Sequence, residues 1–326
     1  MHKQEIVKIL MIATLLVVMN VRSVPAVPLP GQYAIGTLEA GHLLTARDGG
    51  HHSDDALITS ATTVGPYEKF TFERTYPDRL LIKTAGGYYV SAPGGGGLGG
   101  NYDARQVLQT ELTSPADNAL FRLAASIPGM TPYTIQTSRN YYLSALGGGG
   151  KSSAAFHTDA VKPNGYWESF QVLKCGDLGS NYDYAIKVQN MGYPLQAFGG
   201  LSKSSVAFFL QFNSGSTAQR LRLVRQYDGS YALQTSNRVN YISAIGGGGL
   251  SGNTKETDNL VANVTHVQDW EKFRIVDRGD CSYSIQTVNK WYLAYNFGRG
   301  ISTRISDPNA APSIGYTAYF RFIPFL

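Results

Sequence analysis

Tyr142-Leu143-Ser144-Ala145-Leu146-Gly147-Gly148-Gly149-Gly150 is the stretch on which the reading of this chain turns. The same strand and glycine run return as Tyr89-Val90-Ser91-Ala92 before Gly94 to Gly97, and as Tyr241-Ile242-Ser243-Ala244 before Gly246 to Gly249. Weaker copies are Leu43-Leu44-Thr45-Ala46, Pro194-Leu195-Gln196-Ala197 and Tyr292-Leu293-Ala294-Tyr295. Marked by their last residue, the copies fall at positions 46, 92, 145, 197, 244 and 295. A beat of ~50 residues is the signature of a repeated supersecondary unit.

Two further markers keep the same beat. One reads Tyr67-Glu68-Lys69-Phe70, Trp167-Glu168-Ser169-Phe170 and Trp270-Glu271-Lys272-Phe273, with degenerate copies ending at Phe121, Leu221 and Phe320. The other alternates apolar and polar residues, as in Tyr133-Thr134-Ile135-Gln136-Thr137, Tyr231-Ala232-Leu233-Gln234-Thr235 and Tyr283-Ser284-Ile285-Gln286-Thr287. Period-two alternation marks a half-buried strand. Each unit therefore reads as about four short strands, and a lone unit would expose its apolar faces, so the units must pack together. The fold class is all-β, in six units.

The Tyr-Leu-Ser-Ala-x-Gly-Gly strand and loop, followed some 25 residues later by Trp-Glu-x-Phe, resembles the fascin-like β-trefoil repeat. The resemblance runs over residues 31–326. Since three such repeats make a trefoil, it implies two tandem β-trefoil domains, 31–176 and 177–326, after a linker at 24–30. The first, fourth and sixth units depart from the pattern, at Arg47-Asp48-Gly49-Gly50, at Pro194 and at Tyr295. Similar domains accompany secreted glycan-active enzymes as binding appendages. Fascin itself bundles actin in the cytoplasm, a partner that secretion would make unlikely here, and a shared fold does not dictate a shared function.

Secretion is expected from the N-terminus. His2, Lys3 and Lys8 precede the apolar run Ile9–Met19, which is too short to span a bilayer, and Val21-Arg22-Ser23 ends in a small residue. Residues 1–23 read as a signal peptide, with Ala26 as a second cleavage position. No later segment is apolar enough to cross a membrane. Without the signal, 25 basic residues face 22 acidic ones, and no dense Lys/Arg run occurs, so nucleic acid is a poor partner. The two cysteines, Cys175 and Cys281, are expected to pair outside the cell, and no cofactor is expected.

Several residues are candidates for ligand contact. Tyr89, Tyr142, Tyr241 and Tyr292 fall opposite the core-facing Val90, Leu143, Ile242 and Leu293, where their rings either pack between hairpins or meet the apolar faces of sugars. The glycine runs lack the Lys-Ser/Thr and helix of a phosphate cradle, so they read as turn structure bordering shallow pockets. Asn101, Asp103, Lys151, His157, Asn253 and Asp258 are the polar residues near them. Glu68, Glu168 and Glu271 recur at matching positions, which suits acceptors for backbone N–H groups of the adjacent turn rather than an asymmetric catalytic acid pair. His51-His52-Ser53-Asp54-Asp55 lacks the spacing of a closed zinc site and reads as a solvated loop. Asn263-Val264-Thr265 is a glycosylation sequon, expected in a loop. With no nucleophile motif, the expected function is non-catalytic recognition of a glycan or glycoprotein, lectin-like, through repeated shallow sites. A protein-binding or matrix role, a protease inhibitor and a glycoside hydrolase are the alternatives.

Overall fold

A computed structural model describes residues 31–39, 41–75, 78–99, 103–125, 132–189, 195–197, 208–210, 220–249, 260–296, 300–314 and 316–325. The expected signal peptide and linker lie outside them. The described residues are strands joined by turns, as the alternating pattern requires. The first half runs β1 (Gln32–Thr37), β2 (Leu43–Ala46), β3 (Leu57–Ala61), β4 (Phe70–Thr75), β5 (Arg79–Lys83), β6 (Tyr89–Ser91), β7 (Gln109–Leu112), β8 (Leu120–Ala125), β9 (Tyr133–Gln136), β10 (Tyr142–Ala145), β11 (Phe156–Ala160) and β12 (Phe170–Cys175). The second half follows the same plan. It runs β13 (Asp183–Val188), β14 (Leu195–Ala197), β15 (Phe208–Leu210), β16 (Leu221–Arg225), β17 (Tyr231–Gln234), β18 (Tyr241–Ala244), β19 (Leu260–Val264), β20 (Lys272–Asp277), β21 (Tyr283–Thr287), β22 (Tyr292–Asn296), β23 (Gly300–Ile305), β24 (Tyr316–Thr317) and β25 (Phe320–Pro324).

Antiparallel pairing closes each half on itself. β1, β4, β5, β8, β9 and β12 form a ring in that order, with β12 returning to β1. β13, β16, β17, β20, β21 and β25 form a second six-strand ring. Hairpins β2–β3, β6–β7 and β10–β11 complete the first, and β14–β15, β18–β19 and β22–β23 the second. A six-strand barrel carrying three hairpins in threefold array is the strand plan of a β-trefoil. Closure also removes the unpaired sheet edges that an open sheet of this length would expose.

The repeated sequence positions become repeated core positions. Phe70, Phe121, Phe170, Leu221, Phe273 and Phe320 are all buried, one from each unit. Tyr33, Tyr133, Tyr184 and Tyr283, from the alternating strands, are fully buried beside them. Each buried hydroxyl needs a partner, and Tyr133 Oη meets that need by donating to the carbonyl of Pro324 in the other barrel, at 2.7 Å.

Other bonds cross between the barrels. Lys69 Nζ donates to the Gly279 carbonyl at 2.7 Å, and Lys187 Nζ donates to Gln171 Oε1 at 2.8 Å. Burial, with the Arg321 charge adding to it, pushes the Lys187 ammonium down to about 8. A lysine depressed on folding binds fewer protons than its unfolded counterpart between pH 8 and 10.5, so stability must rise with pH across that window. Between pH 8 and pH 9.5, below tyrosine ionisation, the gain is expected to reach at most about 2 kcal/mol. Denaturant unfolding at the two pH values measures it, and Lys187→Met should flatten the slope. An equal slope in both proteins would refute the assignment.

Candidate functional site

The glycine runs are the joints between units. Gly94 to Gly97, Gly147 to Gly150 and Gly246 to Gly249 all have positive φ. In the first unit Asp48, Gly49, Gly50 and His51 take the same path, with φ of 49°, 82°, 120° and 72°. The departure in sequence is therefore no departure in backbone, because Asp and His tolerate left-handed φ better than other side chains do.

Each run docks on the next unit around the barrel. His51 N donates to the Thr110 carbonyl at 2.8 Å, Gly97 N to that of Thr158 at 2.6 Å, and Gly150 N to that of Thr59 at 2.9 Å. The first unit thus holds the second, the second the third, and the third the first. In the other barrel Gly249 N reaches the Thr303 carbonyl at 3.0 Å. A threonine lies beneath the third glycine position each time, Thr84 under Gly50, Thr137 under Gly96, Thr37 under Gly149 and Thr287 under Gly248.

Two sets of rings border these glycine ridges. Tyr67, Trp167 and Trp270, the first residues of the Trp-Glu-x-Phe marker, are 47%, 45% and 49% exposed. They lie in turns ahead of the barrel strands rather than on them, which turns the ring outward while Phe70, Phe170 and Phe273 go in. Tyr67 lies against Gly49, Trp167 offers its carbonyl to Ala145 N at 2.8 Å, and the turn of Trp270 packs on the turn at 245–247. The second set comes from the following unit. Tyr88, Tyr141 and Trp291 pack edge-close to Gly50, Gly97 and Gly249, and His42 does the same at Gly150. All four are half-buried. The result is a partly buried glycine ridge bordered by rings. All three tryptophans of the chain line the grooves beside such ridges.

The carboxylates of the marker are structural. Glu68 accepts from Gly65 N at 2.7 Å, Glu168 from Asn164 N at 3.2 Å, and Glu271 from Gln268 N at 2.7 Å, as the matching positions implied. The second oxygen takes Thr45 Oγ1 at 2.8 Å in the first unit and Ser144 Oγ at 2.7 Å in the third. Ser91, Ser144 and Ser243 are buried, and the extra residue of each hairpin falls on the facing strand, β7, β11 or β19.

Burial corrects the tyrosine expectation, most clearly at Tyr89. Tyr89 is buried, its hydroxyl donates to Glu73 Oε2 at 2.9 Å, and its ring faces Lys83 Nζ 5.0 Å away, so it offers no open ring. Tyr142, Tyr241 and Tyr292 are half-buried. Tyr241 Oη accepts from Gln234 Nε2 at 3.1 Å, and Tyr292 packs on Ala294, Ile305, Ala311 and Ala318. The rings that border the grooves stand one residue earlier, at Tyr88, Tyr141 and Trp291.

The polar candidates do not form one site. Asp103 is exposed and held at about 2 by the hydrogen bonds it accepts from the Arg105 side chain and backbone. Lys151 is exposed after the third glycine run, and His157 is half-buried in β11 opposite Ser144. Asn101, Asn253 and Asp258 lie outside the described residues. His52 Nε2 sits 3.1 Å from Asp48 Oδ2, while Asp55 accepts from Ser153 Oγ at 2.8 Å and Ala154 N at 2.7 Å, tying the first unit's loop to the third's. Asn263 is exposed as expected, though it lies within β19 and not in a loop. Cys175 and Cys281 form a disulfide.

No family model and no curated protein matches the chain. Among solved structures it is similar to a mosquitocidal holotoxin, at 12% identity and a TM-score of 0.40, over 92% of this chain and 35% of that one, so it spans about a third of the toxin's length. It is also similar to the designed threefold-symmetric protein ThreeFoil (12% identity, TM-score 0.38, 44% of this chain and 98% of that one). A third is the Rhizoctonia solani agglutinin (12% identity, TM-score 0.36, 45% and 97%).

Proposed function

We propose that this chain is a secreted, non-catalytic carbohydrate-binding protein made of two tandem β-trefoils of fascin-like type. The observation that carries the reading is the repetition of half-exposed Tyr67, Trp167 and Trp270 at matching positions beside glycine ridges. A large aromatic left half in water costs apolar burial in the free protein, and a sugar's apolar face recovers it on binding. Shallow, repeated sites of this kind act together on a polymer, where avidity raises the affinity of each by orders of magnitude. The agglutinin and toxin likenesses are compatible with this reading and do not carry it.

The test is binding of the mature chain, beginning near Val24, to a panel of glycans and insoluble polysaccharides. Saturable binding that free sugar competes away is expected, with a shift in tryptophan fluorescence. Each ring removed, as Tyr67→Ala, Trp167→Ala or Trp270→Ala, is expected to weaken its own groove by about 1 kcal/mol. The triple variant should lose polymer binding altogether, since avidity multiplies the three losses. A folded protein that binds nothing on the panel, or a triple variant that binds as well as the parent, overturns the proposal.

A further inference from the structure

Where the two barrels join, a cleft of about 320 Å³ is lined by Gly31, Gln32, Lys174, Cys175, Gly176, Asp177, Gly179 and Tyr182. None of these belongs to the glycine ridges. We propose that this cleft is a separate site for a single neutral sugar ring or similar cyclic polyol. The proposal shares the ligand class of the grooves, and so rests on the reading that the protein recognises carbohydrate, but it assigns a different place and different residues.

Lys174, one residue before the end of β12, is only 2% exposed. Its ammonium donates to the Cys175 carbonyl at 2.7 Å and lies 5.3 Å from the centre of the Tyr33 ring. Among the described residues no carboxylate stands within ion-pair distance of it. A buried ammonium has three donors to satisfy, and a cleft beside it is where a ligand oxygen would take one. Asp177, on the same lining, supplies the complementary acceptor. It separates this cleft from a smaller hollow of about 190 Å³ lined by Leu178, Tyr231, Asp277 and Tyr283.

The third element is flat. Tyr182 is 45% exposed, and its ring lies over Gly179, where a Cβ would come within 2.7 Å of it. Asn181 N donates to the Leu223 carbonyl at 2.7 Å, and Leu223 N donates to the Tyr182 carbonyl at 3.1 Å, so β16 holds the backbone that carries the ring. Lys174 is fixed by its register opposite Tyr33 and by the disulfide beside it. The walls are therefore preformed, as a small-ligand site requires.

Charge selects the ligand. An anion would face Asp177, with Asp277 just beyond, and a cation would face Lys174. An apolar molecule would offer the ammonium no acceptor beyond the Cys175 carbonyl it already meets. A neutral ring bearing hydroxyls satisfies all three elements, since its oxygens accept from Lys174, its hydroxyls donate to Asp177, and its C–H face lies on Tyr182.

Calorimetric titration with the methyl glycosides of glucose, galactose, mannose and N-acetylglucosamine tests this. One of them is expected to bind with one site per chain. Tyr182→Ala and Asp177→Asn should each weaken it ten-fold or more, while the triple groove variant leaves it unchanged. Tyr182 is half-exposed and Asn matches Asp in shape, so both variants are expected to fold, which their melting temperatures will verify. Absence of single-site binding, or binding indifferent to both substitutions, overturns the cleft site even if polysaccharide still binds the grooves. Loss of polymer binding by the triple variant, with the single-site titration intact, would show the two sites to be independent as proposed.

Discussion

Gly149→Ala is expected to lower the stability of the first barrel by about 2–6 kcal/mol, although it adds one methyl group at a surface turn. Two costs combine. Gly149 has φ 113° and ψ −165°, a region open essentially to glycine alone, and forcing a Cβ there costs about 1–3 kcal/mol. That Cβ would also lie 2.8 Å from Thr37 Oγ1 and 3.0 Å from Thr37 Cγ2. Overpacking adds about 1–3 kcal/mol. Thr37 is buried in the next unit around the ring, so neither the loop nor its partner can withdraw without opening the joint between the third and first units. Gly147 is the control. Its φ of 64° and ψ of 20° lie in the ordinary left-handed region, with only the far end of Lys151 within 4 Å. The matching position in the first unit is Asp48, at φ 49° and ψ 21°. Gly147→Asn should therefore cost less than about 1 kcal/mol. Urea unfolding of the two variants decides the matter, and similar midpoints would mean that the glycine runs are linkers and not joints.

The contrast between Gly147 and Gly149 also marks how far the sequence could be read. Repetition was legible because it is written in residue types, and Phe70, Phe170 and Phe273 recur with the spacing of strands that must bury them. The role of Glu68, Glu168 and Glu271 was legible for the same reason, since a group repeated by symmetry serves what symmetry repeats. Backbone angle is not written that way. Arg47-Asp48-Gly49-Gly50 looks like a departure from four glycines, and only the φ values show it to be the same turn. The tyrosine expectation met a different obstacle. Alternation assigns Tyr142 and Ser144 to one face, but it does not tell that Ser144 is buried against Glu168 while Tyr142 stays half-buried. The extra residue that β11 carries opposite them is likewise not written in composition. Trp167 and Trp270 stand three residues ahead of Phe170 and Phe273, and spacing alone does not show that the turn before each strand leaves them half-exposed. The cleft was not legible at all, because Gly31 and Lys174 are brought together only when β1 closes on β12.

Replacing both cysteines, as Cys175→Ser with Cys281→Ser, is expected to cost about 4 kcal/mol, and to cost it unevenly. The disulfide joins residues 106 apart, and a loop of that length removes about 4–5 kcal/mol of chain entropy from the unfolded state. The closed loop contains β13, β16, β17 and β20, four of the six barrel strands of the second half, but nothing of the first half beyond the end of β12. The second barrel should therefore carry the loss. Calorimetry of the double variant is expected to show an early transition for that barrel, with the first barrel melting near its parent temperature. Docking resists the separation, because Tyr133 bonds Pro324, and Tyr283 Oη donates to the Gly176 carbonyl at 2.8 Å and reaches that of Lys174 at 3.1 Å. Whichever term is larger sets the shape of the melt. Two separated transitions mean that the covalent staple outweighs the docked surface. A single transition displaced by less than about 1 kcal/mol would mean that the surface already constrains the chain, and the entropic account would fail. The same variant bears on the cleft, since Cys175 is part of its wall and Lys174 stands next to it. If the staple keeps those walls in place, methyl glycoside affinity should fall while polysaccharide binding through Trp167 in the first barrel persists.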